Sequence, residues 1–257
     1  MTYLPSFHLS NQVVVVTGAG KGIGRALAIG AAEAGADVAI IARTEADLKE
    51  TAGFIRDVGR NAYPIQADIT QYNEIEQAVR QIKNEAGKID VLINNAGMNI
   101  RSRASEVTEQ EWMQIFQTNL QGAFFMSQKC AEVMKENGGG KMINISSVGG
   151  HMALRTGVVY AATKAGMIQM TKNLALEWAE DGISVNAIGP WYFKTPLTEK
   201  LLEDKQYLKE ILDRTPMNRV GELKDLVGAA VFLSSEAANY ITGQTLFVDG
   251  GMTVYGF

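Results

Sequence analysis

Short apolar runs alternate with longer stretches of helical periodicity along almost the whole chain. Residues 13–17 form an unbroken β-branched run, glycines follow, and the Ala- and Leu-rich stretch 25–34 then predicts a helix. The alternation recurs as strands at 37–42, 62–66 and 91–94 with helices at 45–58 and 72–85 between them. It continues with a long helix at 109–136, a strand at 141–146, a helix at 158–180, a strand at 184–188, a helix at 222–234 and a strand at 245–248. The strands are apolar throughout, which is the pattern of strands covered on both faces in a parallel sheet. The expected fold is therefore α/β, a doubly wound, seven-stranded parallel sheet.

One region breaks the rhythm. Residues 191–220 follow a strand end and carry a polar helical stretch, 197–213, between Pro196 and Pro216. Ligands of doubly wound sheets bind beyond the carboxyl ends of the strands, so this segment is expected to cover a substrate.

Composition narrows the picture. With 257 residues, 46% hydrophobic and 20% charged, and no linker-like stretch, the chain reads as a single soluble domain over 1–257. A net charge of -4 offers no footprint for nucleic acid. No run of about 18 apolar residues and no basic, export-type N-terminus is present, so neither a membrane nor export is expected and a cytoplasmic location fits. Cys130 is the only cysteine, and His8 and His151 stand apart from other ligand-type residues, so no disulfide and no catalytic metal are expected.

The chemistry starts at the first strand–helix junction, where Gly18, Gly20, Lys21, Gly22, Ile23 and Gly24 form a glycine-rich turn. Alone such a turn is weak evidence. Between a strand and a helix it fits the dinucleotide turn of a Rossmann fold, with Gly18 for the bend, Gly22 for close approach to pyrophosphate and Gly24 for helix packing. The second strand ends in Ala42, Arg43 and Thr44, without the acid that accepts from an NAD ribose. Arg43 and Lys21 instead place two cations where a 2′-phosphate would sit, unless both are ordinary surface charges, and NADP(H) is expected over NAD(H). Asp68, beside Ile69, either caps the next helix or reaches the adenine edge. Asn95, Ala96 and Gly97 end the fourth strand with small groups beside the cofactor.

Tyr160 and Lys164 lie four residues apart on a predicted helix and share a face. A neighbouring ammonium favours phenolate, which would bring the phenol toward the range useful for proton transfer. Ser147 lies at the carboxyl edge of the preceding strand, where its hydroxyl could bind a substrate oxygen, whereas Ser146 should face the other way.

Thr17-Gly18 through Gly24, Asn94 through Gly97, Asn119, Ser147, Tyr160 and Lys164, in this order, resemble the short-chain dehydrogenase/reductase family over essentially the whole chain. The resemblance implies that Tyr160 is acid in reduction and base in oxidation, Ser147 orients the carbonyl, Lys164 tunes Tyr160 and holds the ribose, and Asn119 holds a relay water. It further implies that Pro190 and Thr195 contact the nicotinamide carboxamide, and that the protein is a homotetramer. Trp191 stands where the family usually has Gly, and either walls the substrate pocket or packs beneath the covering segment.

Trp191 to Thr195, Arg214 to Pro216 and the stretch 228–235 resemble the gluconate 5-dehydrogenase branch. The expected substrate is a sugar acid or polyol such as gluconate or 5-ketogluconate, whose carboxylate could meet Arg155 together with Arg101 or Arg103. The alternatives are a 3-oxoacyl-acyl-carrier-protein reductase and a non-catalytic nucleotide-sensing protein on the same fold.

Overall fold

The computed structural model of the chain describes residues 3–155, 157–196 and 198–255. The first half runs β1 (Val13–Thr17), α1 (Gly22–Glu33), β2 (Asp37–Ala42), α2 (Glu45–Asp57), β3 (Ala62–Gln66), α3 (Tyr72–Ala86) and β4 (Val91–Asn94). The second half adds α4 (Glu109–Phe116), α5 (Gly122–Glu136), β5 (Gly140–Ile145), α6 (Val158–Glu177), β6 (Ile183–Pro190), α7 (Glu199–Glu203), α8 (Lys205–Asp213), α9 (Leu223–Ser234) and β7 (Thr245–Val248). The seven strands pair in parallel in the order β3-β2-β1-β4-β5-β6-β7.

The unbroken valine run has a direct cause. Val14 and Val16 enter an apolar cluster with Leu27, Leu48 and Leu226 on one face of the sheet. Val13 and Val15 enter the opposite cluster with Ile75, Ile82 and Met126. Each such side chain contributes about 1.5–3 kcal/mol on burial, so a polar residue at any of these positions would be strongly destabilising.

Full burial of every strand was expected, and it fails at the two edges. Only Ile65 of β3 is buried, and no residue of β7 is fully buried. An edge strand has a neighbour on one side only, which also explains why Pro64 is tolerated in β3 despite lacking an amide hydrogen.

Two helices differ from expectation in more than their ends. The helix expected over 109–136 is interrupted at Gln117–Gln121 by a π-type turn, in which the Gly122 amide donates to the Gln117 carbonyl five residues back. The helix expected over 197–213 is two helices, with Leu197 outside the described residues. Asp204 separates them, because its Oδ1 accepts from the Gln206 and Tyr207 amides at 2.9 and 3.1 Å and so caps α8.

Candidate active site

The strand order reverses between β1 and β4, and the chain segments leaving these two strands are stitched together there. Thr17 Oγ1 accepts from the Asn95 and Ala96 amides at 3.0 and 3.1 Å, and Asn95 Nδ2 donates to the Thr17 and Gly18 carbonyls at 3.0 and 3.3 Å. Asn95 therefore shapes the glycine turn with its side chain. A cavity of about 530 Å³ opens at this point and runs along the carboxyl ends of the strands. Every residue named above as a site candidate lines it except Asn119, Arg103 and Arg155.

At one end lies the glycine turn. Gly18 has φ +66°, and a Cβ there would come within 2.8 Å of Ala96 Cα, so only glycine keeps both the bend and the neighbouring backbone in place. The N-terminus of α1 carries neither a side-chain cap nor an acid in its first turn. Its amides are left for an anion, which is the arrangement that binds pyrophosphate, so these residues fit a dinucleotide. Lys21 Nζ lies 3.3 Å from Asp47 Oδ2. The Arg43 carbonyl accepts from Gln66 Nε2 at 2.8 Å, while among the described residues its guanidinium has no ion-pair partner. Asp68 does not cap α3, whose N-cap is Gln71. Its Oδ1 accepts instead from the Thr70 amide and hydroxyl, both at 2.9 Å, in a tight turn on the cavity wall.

At the other end are Ser147, Tyr160 and Lys164. The loop after β5 packs closely on α6, since a Cβ at Gly150 would meet the Lys164 backbone at 2.6 Å. Ser146, expected to face the other way, is buried and donates to the Lys164 carbonyl at 2.9 Å, yet it lines the cavity as its neighbour Ser147 does. Ser147 accepts from the Gly149 amide at 3.0 Å and lines the cavity together with the Tyr160 phenol.

Lys164 is buried, and loss of hydration lowers its pKa to about 8. Its ammonium donates to the Ile145 carbonyl at 2.7 Å and stands 5.7 Å from the centre of the Tyr160 ring. The expected lowering of the phenol by Lys164 is not met in this form. Burial holds the Tyr160 pKa above its ordinary value, and the opposing influences come from the neighbouring Ser147 hydroxyl and the charge of Arg101.

Asn119 is fully buried in the π-type turn, and its side chain is committed. Oδ1 accepts from the Met98 amide at 2.8 Å, and Nδ2 donates to the Met98 carbonyl and Thr163 Oγ1 at 2.9 and 3.2 Å. Asn119 thus fastens the segment after β4 to α6, an anchoring role that the expectation of a relay water did not include.

Arg155 is already paired. Its Nη2 lies 2.5 Å from Glu210 Oε2 and its guanidinium covers the Tyr207 ring at 5.8 Å, so it ties the loop after β5 to α8. It lines an adjoining cavity of about 320 Å³ that shares Arg101, Leu154, Trp191 and Tyr192 with the main one. Arg103 is exposed and on neither wall. Trp191 does both of the things expected as alternatives, lining the cavity while its Nε1 donates to Thr215 Oγ1 at 3.2 Å. Thr195 is nearly buried and lies 3.1 Å from Thr198 Oγ1.

Sequence reasoning missed Tyr207, Asp47 and Asn99. Tyr192 and Tyr207 share a 2.5 Å hydroxyl–hydroxyl hydrogen bond, with Arg101 Nη1 3.5 Å from each oxygen. Asn99 Oδ1 is buried on the cavity wall without a partner among the described residues. None of these carried a signal, because an acid in a first helical turn, a tyrosine on a polar helix and an asparagine in a loop are all ordinary surface features.

A doubly wound sheet with an anion-receptive helix end and a Tyr–Lys pair in one cavity defines a class, the dinucleotide-dependent oxidoreductases. The sequence model described as enoyl-(acyl carrier protein) reductase matches residues 18–253. A tropinone reductase homolog of Arabidopsis thaliana is 38% identical over 253 residues, covering 97% of this chain and 95% of the relative. The gluconate 5-dehydrogenase of Gluconobacter oxydans is 38% identical over 255 residues, 99% of each chain. A gluconate 5-dehydrogenase of Burkholderia cenocepacia, solved with NADP and tartrate, superposes with a TM-score of 0.94 at 38% identity, covering 97% of this chain and 98% of the other. The chain belongs to the short-chain dehydrogenase/reductase family and is an oxidoreductase acting on CH–OH groups. No helix among the described residues is long and apolar enough to cross a membrane.

Proposed function

We propose that this protein interconverts a sugar acid or related polyol and its ketone with NADP(H), in the manner of a gluconate 5-dehydrogenase. The carrying observation is the single cavity that has Lys21 and Arg43 at the dinucleotide end and Ser147, Tyr160 and Arg101 at the other. The named activities of the Gluconobacter and Burkholderia relatives support the same reading. When bound, the nicotinamide ring gives or takes the hydride. The chain's own part is to hold the substrate oxygen between Ser147 and Tyr160, to move a proton at the Tyr160 oxygen, and to exclude water with residues 191–220. Lys164 holds the ribose, and Pro190 and Thr195 bound the nicotinamide end. Positioning of this kind supplies much of the acceleration.

Arg101, steadied by Tyr192 and Tyr207, is the group offered to a substrate carboxylate. Arg101→Ala should raise KM for gluconate roughly tenfold or more, the size of a lost charge-assisted hydrogen bond, and change KM for a neutral polyol little. Equal effects on both substrates would remove the carboxylate role. The half-exposed edge strand β7, with Leu246 40% exposed, supports self-association into the tetramer that the family resemblance implies.

The substrate reading is tested by following NADPH absorbance with gluconate, 5-ketogluconate, neutral polyols and acetoacetyl thioesters. Turnover of the sugar acids is expected. Turnover of the thioesters alone would replace this reading with that of an acyl-thioester reductase. Cofactor choice is tested separately. Arg43→Ala should weaken NADP+ binding about tenfold or more relative to NAD+, since a guanidinium–phosphate pair is lost. An unchanged ratio would count against NADP(H).

A further inference from the structure

Resting on the assignment of NADP(H) to the glycine-turn end, we infer that Asp47 is a specificity-determining residue that restrains the preference for a 2′-phosphate. Asp47 lies in the first turn of α2 and lines the dinucleotide end of the cavity with Lys21, Ala42, Arg43 and Thr44.

The carboxylate is held at that corner. α2 is pinned to the glycine turn by Thr51 Oγ1, which donates to the Ala19 carbonyl at 3.1 Å. A Cβ at Gly20 would come within 3.0 Å of Asp47 Cβ, so the two segments are in close contact. The Asp47 side chain is only 19% exposed, against 63% for its partner Lys21, so the acid is the anchored member of the pair.

The charge balance at the corner follows from the pairings. Arg25 is engaged by the Gly20 carbonyl and by Glu50, and Glu45 is engaged by Lys49. Lys21 faces Asp47, which leaves the Arg43 guanidinium as the cation without an ion-pair partner among the described residues. A 2′-phosphate entering here gains Arg43 but must compete with Asp47 for Lys21 and approach a like charge. A ribose 2′-hydroxyl has no such cost, and a carboxylate can accept its hydrogen bond. Arg43 and Asp47 thus pull cofactor choice in opposite directions, and the chain should bind both dinucleotides with a moderated preference.

Calorimetric titration of the intact protein with NADP+, NAD+, 2′,5′-ADP and 5′-ADP tests this without reference to turnover. In Asp47→Asn, affinity for NADP+ and 2′,5′-ADP relative to NAD+ and 5′-ADP should rise about three- to tenfold, and the gain should shrink as salt is added. Retained NAD+ binding shows that the variant is folded. The gain should be smaller when Lys21→Ala is added, because part of it comes from the freed ammonium. An unchanged ratio in Asp47→Asn overturns the inference, and so does a fall, which would mean that Asp47 positions Lys21 for the phosphate. Either result with Arg43→Ala still weakening NADP+ would leave the cofactor assignment standing, whereas no response in Arg43→Ala would remove that assignment itself.

Discussion

Tyr160→Phe is expected to lower turnover about a thousandfold in both directions, within the range that a positioned acid or base contributes. The phenol lines the cavity with Ser147, so its oxygen is the proton-transfer group that the proposed function places beside the substrate oxygen. Burial holds its pKa above the ordinary phenol value, so before cofactor binds it is protonated at neutral pH. The wild type should therefore support ketone reduction on a broad neutral plateau, and alcohol oxidation should climb with pH as phenolate forms. The Phe variant should lose that alkaline rise. NADP+ affinity measured by calorimetry should stay within about threefold of wild type, since one hydroxyl contributes at most about one hydrogen bond to the dinucleotide. A variant that turns over near the normal rate would eliminate Tyr160 as the acid, and one that loses NADP+ binding would make the hydroxyl a cofactor ligand first.

Much of this site was legible before the fold was known, because its signals are local. The valine run of β1 reads as a buried strand, since alternate residues serve opposite cores. The glycine turn and the Tyr160–Lys164 pair come together on one cavity, and their spacing is legible because backbone conformation and helical periodicity act over a few residues. What escaped depends on contacts distant in sequence. Arg155 reads in the sequence as an unpaired cation because Glu210, its partner, lies on a helix that only tertiary packing brings over the loop. The break at Asp204 was hidden because an aspartate in a polar stretch fits a helix as well as a cap until backbone geometry decides. The edges of the sheet could not be read from strand composition, since β3 and β7 lose burial through their place in the order. The direction of the Tyr160 shift was missed for the same reason. Spacing places Lys164 beside the phenol, but only the fold shows its ammonium directed to the Ile145 carbonyl.

That buried ammonium makes the second large prediction one in which stability and activity move in opposite directions. Lys164→Met keeps the length and most of the packing of the side chain and removes its charge. Turnover should fall at least about a hundredfold, because the ribose contact proposed for Lys164 and its positive charge near Tyr160 are both lost. Stability of the cofactor-free protein at pH 7 should nevertheless rise by about 1–2 kcal/mol. The folded-state pKa of Lys164 is about 8, against 10.5 for an unburied lysine, so between these values the unfolded chain binds the extra proton. Stability of the wild type accordingly increases with pH across that window, and the penalty is fully present below it. The gross penalty is about 3 kcal/mol, and the hydrogen bond to the Ile145 carbonyl, lost in the variant, offsets part of the gain. Thermal or urea unfolding of both proteins from pH 7 to 10.5 should show the variant's advantage closing as the pH rises. A variant less stable than wild type at every pH would mean that the Ile145 contact outweighs the desolvation of the ammonium. The cavity would then hold Lys164 as a structural cation in addition to its proposed role at the ribose.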